Sequence, residues 1–156
     1  MSVPAIGKRV PDFSLPSTSG ETFSLSAQRG HGVVLYFYPR DATPGCTLEG
    51  ESFRDLHPKF KRLGVRIFGI SRDSLASHAR FCAKHSFPFE LLSDPEEKAC
   101  KLFDVIREKN MYGRKVIGIE RSTFLIDGAG ILQREWRKLK VDGHAEEVLE
   151  AARSLD

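Results

Sequence analysis

The sequence predicts an α/β protein with a mixed central sheet and helices on both of its faces. Three observations carry that expectation. Val33–Tyr38 is a wholly apolar, β-rich run stopped by Pro39, as expected of a strand buried on both faces. Strand-like and helix-like segments then alternate along the chain. Near the C-terminal end, Asp127-Gly128 followed by Gly130 supplies hairpin chemistry between two further strands, which should be antiparallel neighbours.

Each element has its own signal. A second strand is expected over Val65–Ser71 and a third over Arg121–Asp127, with a fourth in the segment ILQREWR. Phe53, Leu56, Phe60 and Leu63 recur on one face of a helix between the first two strands. Pro58 should kink or split that helix, and Gly64 sits where a helix-terminating glycine belongs. A second helix is expected to begin at an N-capping Ser74 and run to about Ser86. A third is expected over Pro95–Phe103, opened by Asp94-Pro95, and a last over Gly143–Leu155. The N-terminal FSLPSTSGETFSLS, with Gly20 in a polar turn, can form a small hairpin.

With 156 residues, no repeat and no Pro/Gly/Ser-rich linker, the chain is expected to be a single domain over 1–156. Its 40% hydrophobic and 29% charged residues are a globular balance, which excludes disorder throughout. The longest apolar run is far short of the roughly 20 residues a spanning helix requires, so no membrane partner is expected. The net charge of +3 is interspersed and forms no basic stripe, so neither is nucleic acid. No apolar signal region opens the chain, which predicts a cytoplasmic protein. Three cysteines in a reducing compartment argue for redox or catalytic thiols over a structural disulfide framework.

The informative segment is Pro39–Phe53, PRDATPGCTLEGESF. It follows a buried strand and opens a helix, which puts Cys46 in the first helical turn. Unpaired backbone N–H groups and the helix dipole there favour an anion, hence the nucleophilic thiolate. Pro-Gly beside it predicts an exposed turn rather than a packed position. Glu49 is expected to be an acid in the first turn complementing the dipole.

The spacing Pro39-x-x-x-Thr43-x-x-Cys46 matches the peroxiredoxin active-site motif, and YFYPRDATPGCTLE resembles the peroxiredoxin Q, or bacterioferritin comigratory protein, group. The resemblance continues through FGISRDSLASHARF, FPFELLSD and ERSTFLID, and so covers nearly the whole chain. It implies a thioredoxin-like fold and a cofactor-free, metal-free thiol peroxidase acting on hydrogen peroxide and organic hydroperoxides. By resemblance Cys46 is the peroxidatic cysteine, Thr43 orients peroxide and thiolate, Pro39 shapes and shields the pocket, and Arg121 is the family's arginine from a distant strand. A thioredoxin-type dithiol reductant and a monomeric state are implied in the same way.

The group keeps its resolving cysteine either five residues after the first, where this chain has Glu51, or in the following helix, where it has Cys82. The resemblance therefore implies a Cys46–Cys82 disulfide. The helix pattern leaves another role open, because Leu75, Ala79 and Cys82 share one face that would be the buried one, making Cys82 a core residue. A disulfide needs Cα atoms within about 7 Å, and these cysteines lie on separate helices, so resolution would include local unwinding. Cys100 shares a helix face with Phe103 and is expected to be an unreactive structural thiol.

Other chemistries fit less well. A thioredoxin-type C-x-x-C would need a second sulfur at Glu49. No motif recruits a histidine base to Cys46, and no paired Cys/His spacing suggests zinc. His57 is expected to be a solvated helix residue, and His78 and His85 an exposed polar stripe.

Overall fold

The structure, a computed structural model, describes residues 3–155. A small antiparallel hairpin, β1 (Ser14–Pro16) and β2 (Thr22–Ser24), precedes a single 3-10 turn at Ser26–Gln28. There follow β3 (Gly32–Phe37), α1 (Pro44–Arg62), β4 (Val65–Ser71), α2 (Leu75–His85), β5 (Glu90–Ser93) and α3 (Lys98–Leu102). The chain continues through β6 (Ile106–Met111), β7 (Arg114–Ile119), β8 (Ser122–Ile126), β9 (Leu132–Arg137) and α4 (His144–Ala152). The five-stranded sheet has the order β5-β4-β3-β8-β9, with β3, β4 and β5 parallel and β8 and β9 antiparallel.

The alternation of β3 builds two cores. Val33, Leu35 and Phe37 point to one face, where they meet the N-terminal hairpin through Leu15 and Phe23 and α3 through Ala99 and Cys100. Val34, Tyr36 and Tyr38 point to the other, against Phe53 and Phe60 of α1, Phe81 of α2 and Val148 of α4. Helices thus cover both faces, as the alternation of segments predicts.

Several boundaries differ from expectation for identifiable reasons. Pro58 does not split α1. It is exposed, and Phe53 and Phe60 on either side are fully buried, so packing outweighs the lost helical hydrogen bond. Gly64 follows the helix with φ +71° and donates to Lys61 O, as a C-terminal glycine should. The third helix starts at Lys98, not Pro95. Asp94, Pro95 and Glu96 form a turn, and the Asp94 carboxylate reaches forward to accept from the amides of Lys98 and Cys100, both at 2.8 Å. The last helix is shorter than Gly143–Leu155, spanning His144–Ala152.

Two elements have no counterpart in the expected order. The first is β5, a four-residue strand that buries Leu91 and Leu92. The second is the β6–β7 hairpin, whose turn residues Tyr112 and Gly113 both have positive φ, 52° and 79°. Five of its twelve strand residues are charged and Val116 and Ile117 are exposed, so no apolar alternation marks a buried face. Helix α2 also turns a different face inward. Leu75 is 39% exposed and Ala79 is exposed, whereas His78 and Phe81 are buried and Cys82 is half-buried. The inner stripe therefore contains a histidine, because polar partners wait for it in the core.

Candidate active site

The register of the sheet brings distant segments of chain to one point. Ser122 of β8 pairs with Phe37 at the end of β3, so Arg121 lies beside the loop that leaves β3 and opens α1. That loop runs from Tyr38 to Thr43. Thr43 is the extended residue capping α1, Pro44 takes the first helical position, and Cys46 follows in the first turn. The first helical amide to find its partner is that of Thr47, which donates to Thr43 O at 2.9 Å. Cys46 thus sits among the amide donors that a helix start leaves unpaired. Its placement in the first turn agrees with expectation, but its exposure does not: it is only 2% exposed, packed with Tyr36, Tyr38 and Phe53.

Arg121 donates from Nη2 to Cys46 Sγ at 3.4 Å and from Nη1 to Glu49 Oε1 at 2.6 Å. Its guanidinium therefore bridges the two groups, using the fixed fork that distinguishes arginine from lysine. Gly45 makes room for it, since a Cβ there would stand 3.2 Å from Nη2. Glu49 lies beyond the first turn, 1% exposed, and its Oε2 makes no hydrogen bond. Burial pushes its carboxyl up to about 7 against the pull of Arg121. It is the buried counter-ion of Arg121, not a dipole-complementing surface acid. Arg121 also lines an open cavity of about 400 Å³ together with Arg107, Lys109, Glu120 and Lys138.

Pro39 and Thr43 lie on the loop above Cys46. The Thr43 hydroxyl donates to Arg40 O at 2.9 Å, which holds the loop end closed and leaves its oxygen able to accept a further bond. Cys82 and Cys46 both belong to the helix-side core, and all three cysteines are free thiols. Burial, with the charge of Asp41, raises the Cys82 thiol above its ordinary value. Cys100 is fully buried on the opposite face of the sheet, where burial and the nearby Asp94 push its thiol up strongly.

Three residues near the loop carry no signal at the level of the sequence. Asp41 is buried and accepts from Tyr38 OH at 2.6 Å and Ser77 Oγ at 2.8 Å, and faces His78 Nδ1 at 2.7 Å. Asp73 accepts from the Asp41 amide at 2.9 Å. His78 is completely buried and its Nε2 meets Leu92 O at 2.9 Å. An exposed stripe through His78 and His85 is thereby excluded, and His57 is half-buried rather than solvated. Asp41, Asp73 and His78 place their polar atoms within 4.8 Å of one another, as cation ligands can. Here those atoms are already engaged with each other, with Ser71 and with Ser77.

A thiol at a helix start, hydrogen-bonded by an arginine that immediately precedes β8 of a mixed thioredoxin-like sheet, defines a protein of the thiol-dependent oxidoreductase class. The comparisons agree. Residues 6–135 match the AhpC/TSA family. Peroxiredoxin Bcp of Xanthomonas campestris is 52% identical over 143 residues, 92% of this chain and 89% of that protein. Peroxiredoxin Bcp of Bacillus subtilis is 48% identical over 150 residues, 96% of each. Among solved structures, a mutant of Xylella fastidiosa PrxQ superposes with a TM-score of 0.92 at 44% identity, covering 99% of this chain and 98% of that one. A Xanthomonas campestris bacterioferritin comigratory protein, studied for its alkyl peroxide reduction activity, superposes with a TM-score of 0.87 at 51% identity, over 91% and 90% of the two chains. The chain belongs to the AhpC/TSA family, in its peroxiredoxin Q (Bcp) group.

Proposed function

We propose that the protein is a thiol peroxidase, working as a single domain, that reduces hydrogen peroxide and organic hydroperoxides through Cys46. The observation that carries this reading is the 3.4 Å contact from Arg121 Nη2 to a thiol at the start of a helix. The Cys46 thiolate attacks the terminal peroxide oxygen. An S–O bond forms, the O–O bond breaks, and the leaving oxygen takes a proton to depart as water or alcohol. Negative charge moves from sulfur to the leaving oxygen during this displacement. Preorganised donors aimed at that path lower the barrier, typically by an amount worth about 10²–10³ in rate for each donor. Arg121 and the amides of the first helical turn supply them. Thr43 orients the peroxide through its hydroxyl, and Pro39 shields the sulfenic acid from bulk water.

Cys82 then resolves the sulfenic acid: its sulfur bonds to Cys46 Sγ and the hydroxyl leaves as water. A thioredoxin-type dithiol returns the disulfide to two thiols. Its half-buried position and its place on the same core as Cys46 favour Cys82 over Cys100, which lies across the sheet. We assign the cycle to a monomer in the cytoplasm.

The test is to treat the reduced protein with one equivalent of peroxide and map the linked peptides. The expected product is an intramolecular Cys46–Cys82 disulfide. A Cys46–Cys100 link, or a mixed disulfide with a small thiol and Cys82 free, overturns the resolving assignment. Peroxide consumption with dithiothreitol tests the peroxidase activity separately.

A further inference from the structure

The buried cluster around Asp41 takes no part in the chemistry above, yet it joins its two halves. Asp41 lies on the loop between β3 and α1, two residues before Thr43. His78 lies on α2, one helical turn before Cys82 and on the same face. Both side chains are almost fully withdrawn from water, at 3% and 0% exposure. His78 is held at both ring nitrogens: Nε2 meets the Leu92 carbonyl oxygen at 2.9 Å and Nδ1 meets Asp41 Oδ2 at 2.7 Å. Ser77 on the same helix adds a further bond to that carboxylate.

The loop side is held just as firmly. Asp41 receives Tyr38 OH on its other oxygen, and its amide donates to Asp73 in the turn before α2. Beside it Ala42 has φ 62°, a left-handed conformation that a residue with a Cβ keeps only when its surroundings enforce it. Burial drives the Asp41 carboxyl up, but the bonds from His78, Tyr38 and Ser77 outweigh it and leave it below the usual range, so the ionised, hydrogen-bonded state is the one the fold holds.

We propose that the Asp41–His78 pair is a latch that fastens the helix bearing Cys82 to the loop that shapes the Cys46 pocket, and that its opening sets the rate of disulfide formation. This rests on Cys82 being the resolving thiol. While the pair is closed, α2 is folded and Cys82 is kept within its own helix. For Cys82 to reach Cys46 the helix must loosen, and the buried pair is a polar tie that loosening has to break. Once the disulfide is reduced, the pair re-forms and restores the loop along with the helix, which couples resetting of the second thiol to resetting of the first pocket.

The experiment compares Ser77→Ala, which removes one tie from a half-buried residue, and His78→Asn, which removes the pair, with the parent protein. Rapid quenching and mass spectrometry follow loss of the Cys46 thiol and growth of the disulfide as separate rates, and amide exchange follows residues 75–85 in the reduced state. In Ser77→Ala the first rate should stay within about threefold, while disulfide formation and exchange of α2 speed up by about threefold to tenfold, the size one hydrogen bond implies. His78→Asn should exceed that, and both variants should need more peroxide to reach sulfinic acid. Should His78→Asn fail to fold, Ser77→Ala still decides. A merely structural pair would slow both steps or leave the second unchanged. Unchanged or slower disulfide formation in Ser77→Ala, with the parent forming its disulfide normally, overturns the latch. Absence of a Cys46–Cys82 disulfide in the parent instead overturns the resolving role of Cys82, and the rate claim with it.

Discussion

Arg121 donates to Cys46 Sγ from 75 residues away along the chain, and the same guanidinium holds Glu49 at 2.6 Å. One cation thus serves two buried acidic groups. This couples the charge facing Cys46 Sγ to the ionisation of a buried carboxylate.

Replacing the proposed nucleophile gives the simplest expectation. Cys46→Ser should abolish peroxide turnover, because serine offers no thiolate. Cys100→Ser, on the far side of the sheet, should leave turnover within a few-fold of the parent. Steady-state peroxide consumption with a dithiol reductant checks both.

Arg121→Ala should lower the second-order reactivity of Cys46 towards peroxide by about 10²-fold. It should also destabilise the fold, since it strips Glu49 of its partner inside the core, a change that costs roughly 3–5 kcal/mol when a buried pair is broken. Adding Glu49→Gln should recover much of that stability and none of the reactivity. A double-mutant cycle in urea and in stopped flow separates the two effects. Full recovery of reactivity would mean that Arg121 acts only through folding.

Two buried groups should tilt the pH dependence of stability in opposite directions. Burial raises the Glu49 carboxyl to about 7 from 4.5, so its stabilising contribution is complete below about 4.5 and is lost as pH rises through about 7. Burial lowers His144 to about 4 from 6.5, so its contribution is present above about 6.5 and is lost as pH falls through about 4. Glu49→Gln should therefore flatten the stability loss on the way up to neutrality and leave the acid limb in place. Urea midpoints measured from pH 4 to pH 8 test this, and an unchanged slope between pH 5 and pH 7 would contradict the Glu49 shift.

Gly50→Ala should destabilise the protein, although alanine favours a helix interior by roughly 0.5–1 kcal/mol over glycine. A Cβ at position 50 would stand 2.4 Å from Phe87 Cζ, where the loop after α2 packs on α1. Overpacking of this kind costs about 1–3 kcal/mol. Thermal unfolding should show a lower midpoint, and Gly50→Ala combined with Phe87→Leu should regain part of it.

Much of the fold is legible locally. The apolar run through Tyr36 is a strand in any context that buries it, and Ser74 caps α2 by accepting from the Ser77 amide wherever that helix forms. The turn at Asp127 likewise joins neighbouring antiparallel strands. Short or charged elements are not legible in this way. The four residues of β5 carry too little pattern, and β6 and the largely exposed β7 are paired through backbone bonds that no side-chain alternation announces.

The candidate site divides along the same line. Its proposed nucleophile is written in a contiguous stretch, because a strand end, Pro44 at a helix start and a cysteine in the first turn are neighbours in sequence. The sequence alone therefore determined the layered α/β class and the first-turn position of Cys46. Only the tertiary structure decided that Glu49 is buried, that Arg121 bridges it to Cys46, and that His78 faces inward to Asp41. Those facts depend on the Phe37–Ser122 register and on which face of α2 meets the sheet. The reason is physical: a charged or polar side chain is buried only when a partner arrives to satisfy it, and each of these partners comes from a different part of the chain.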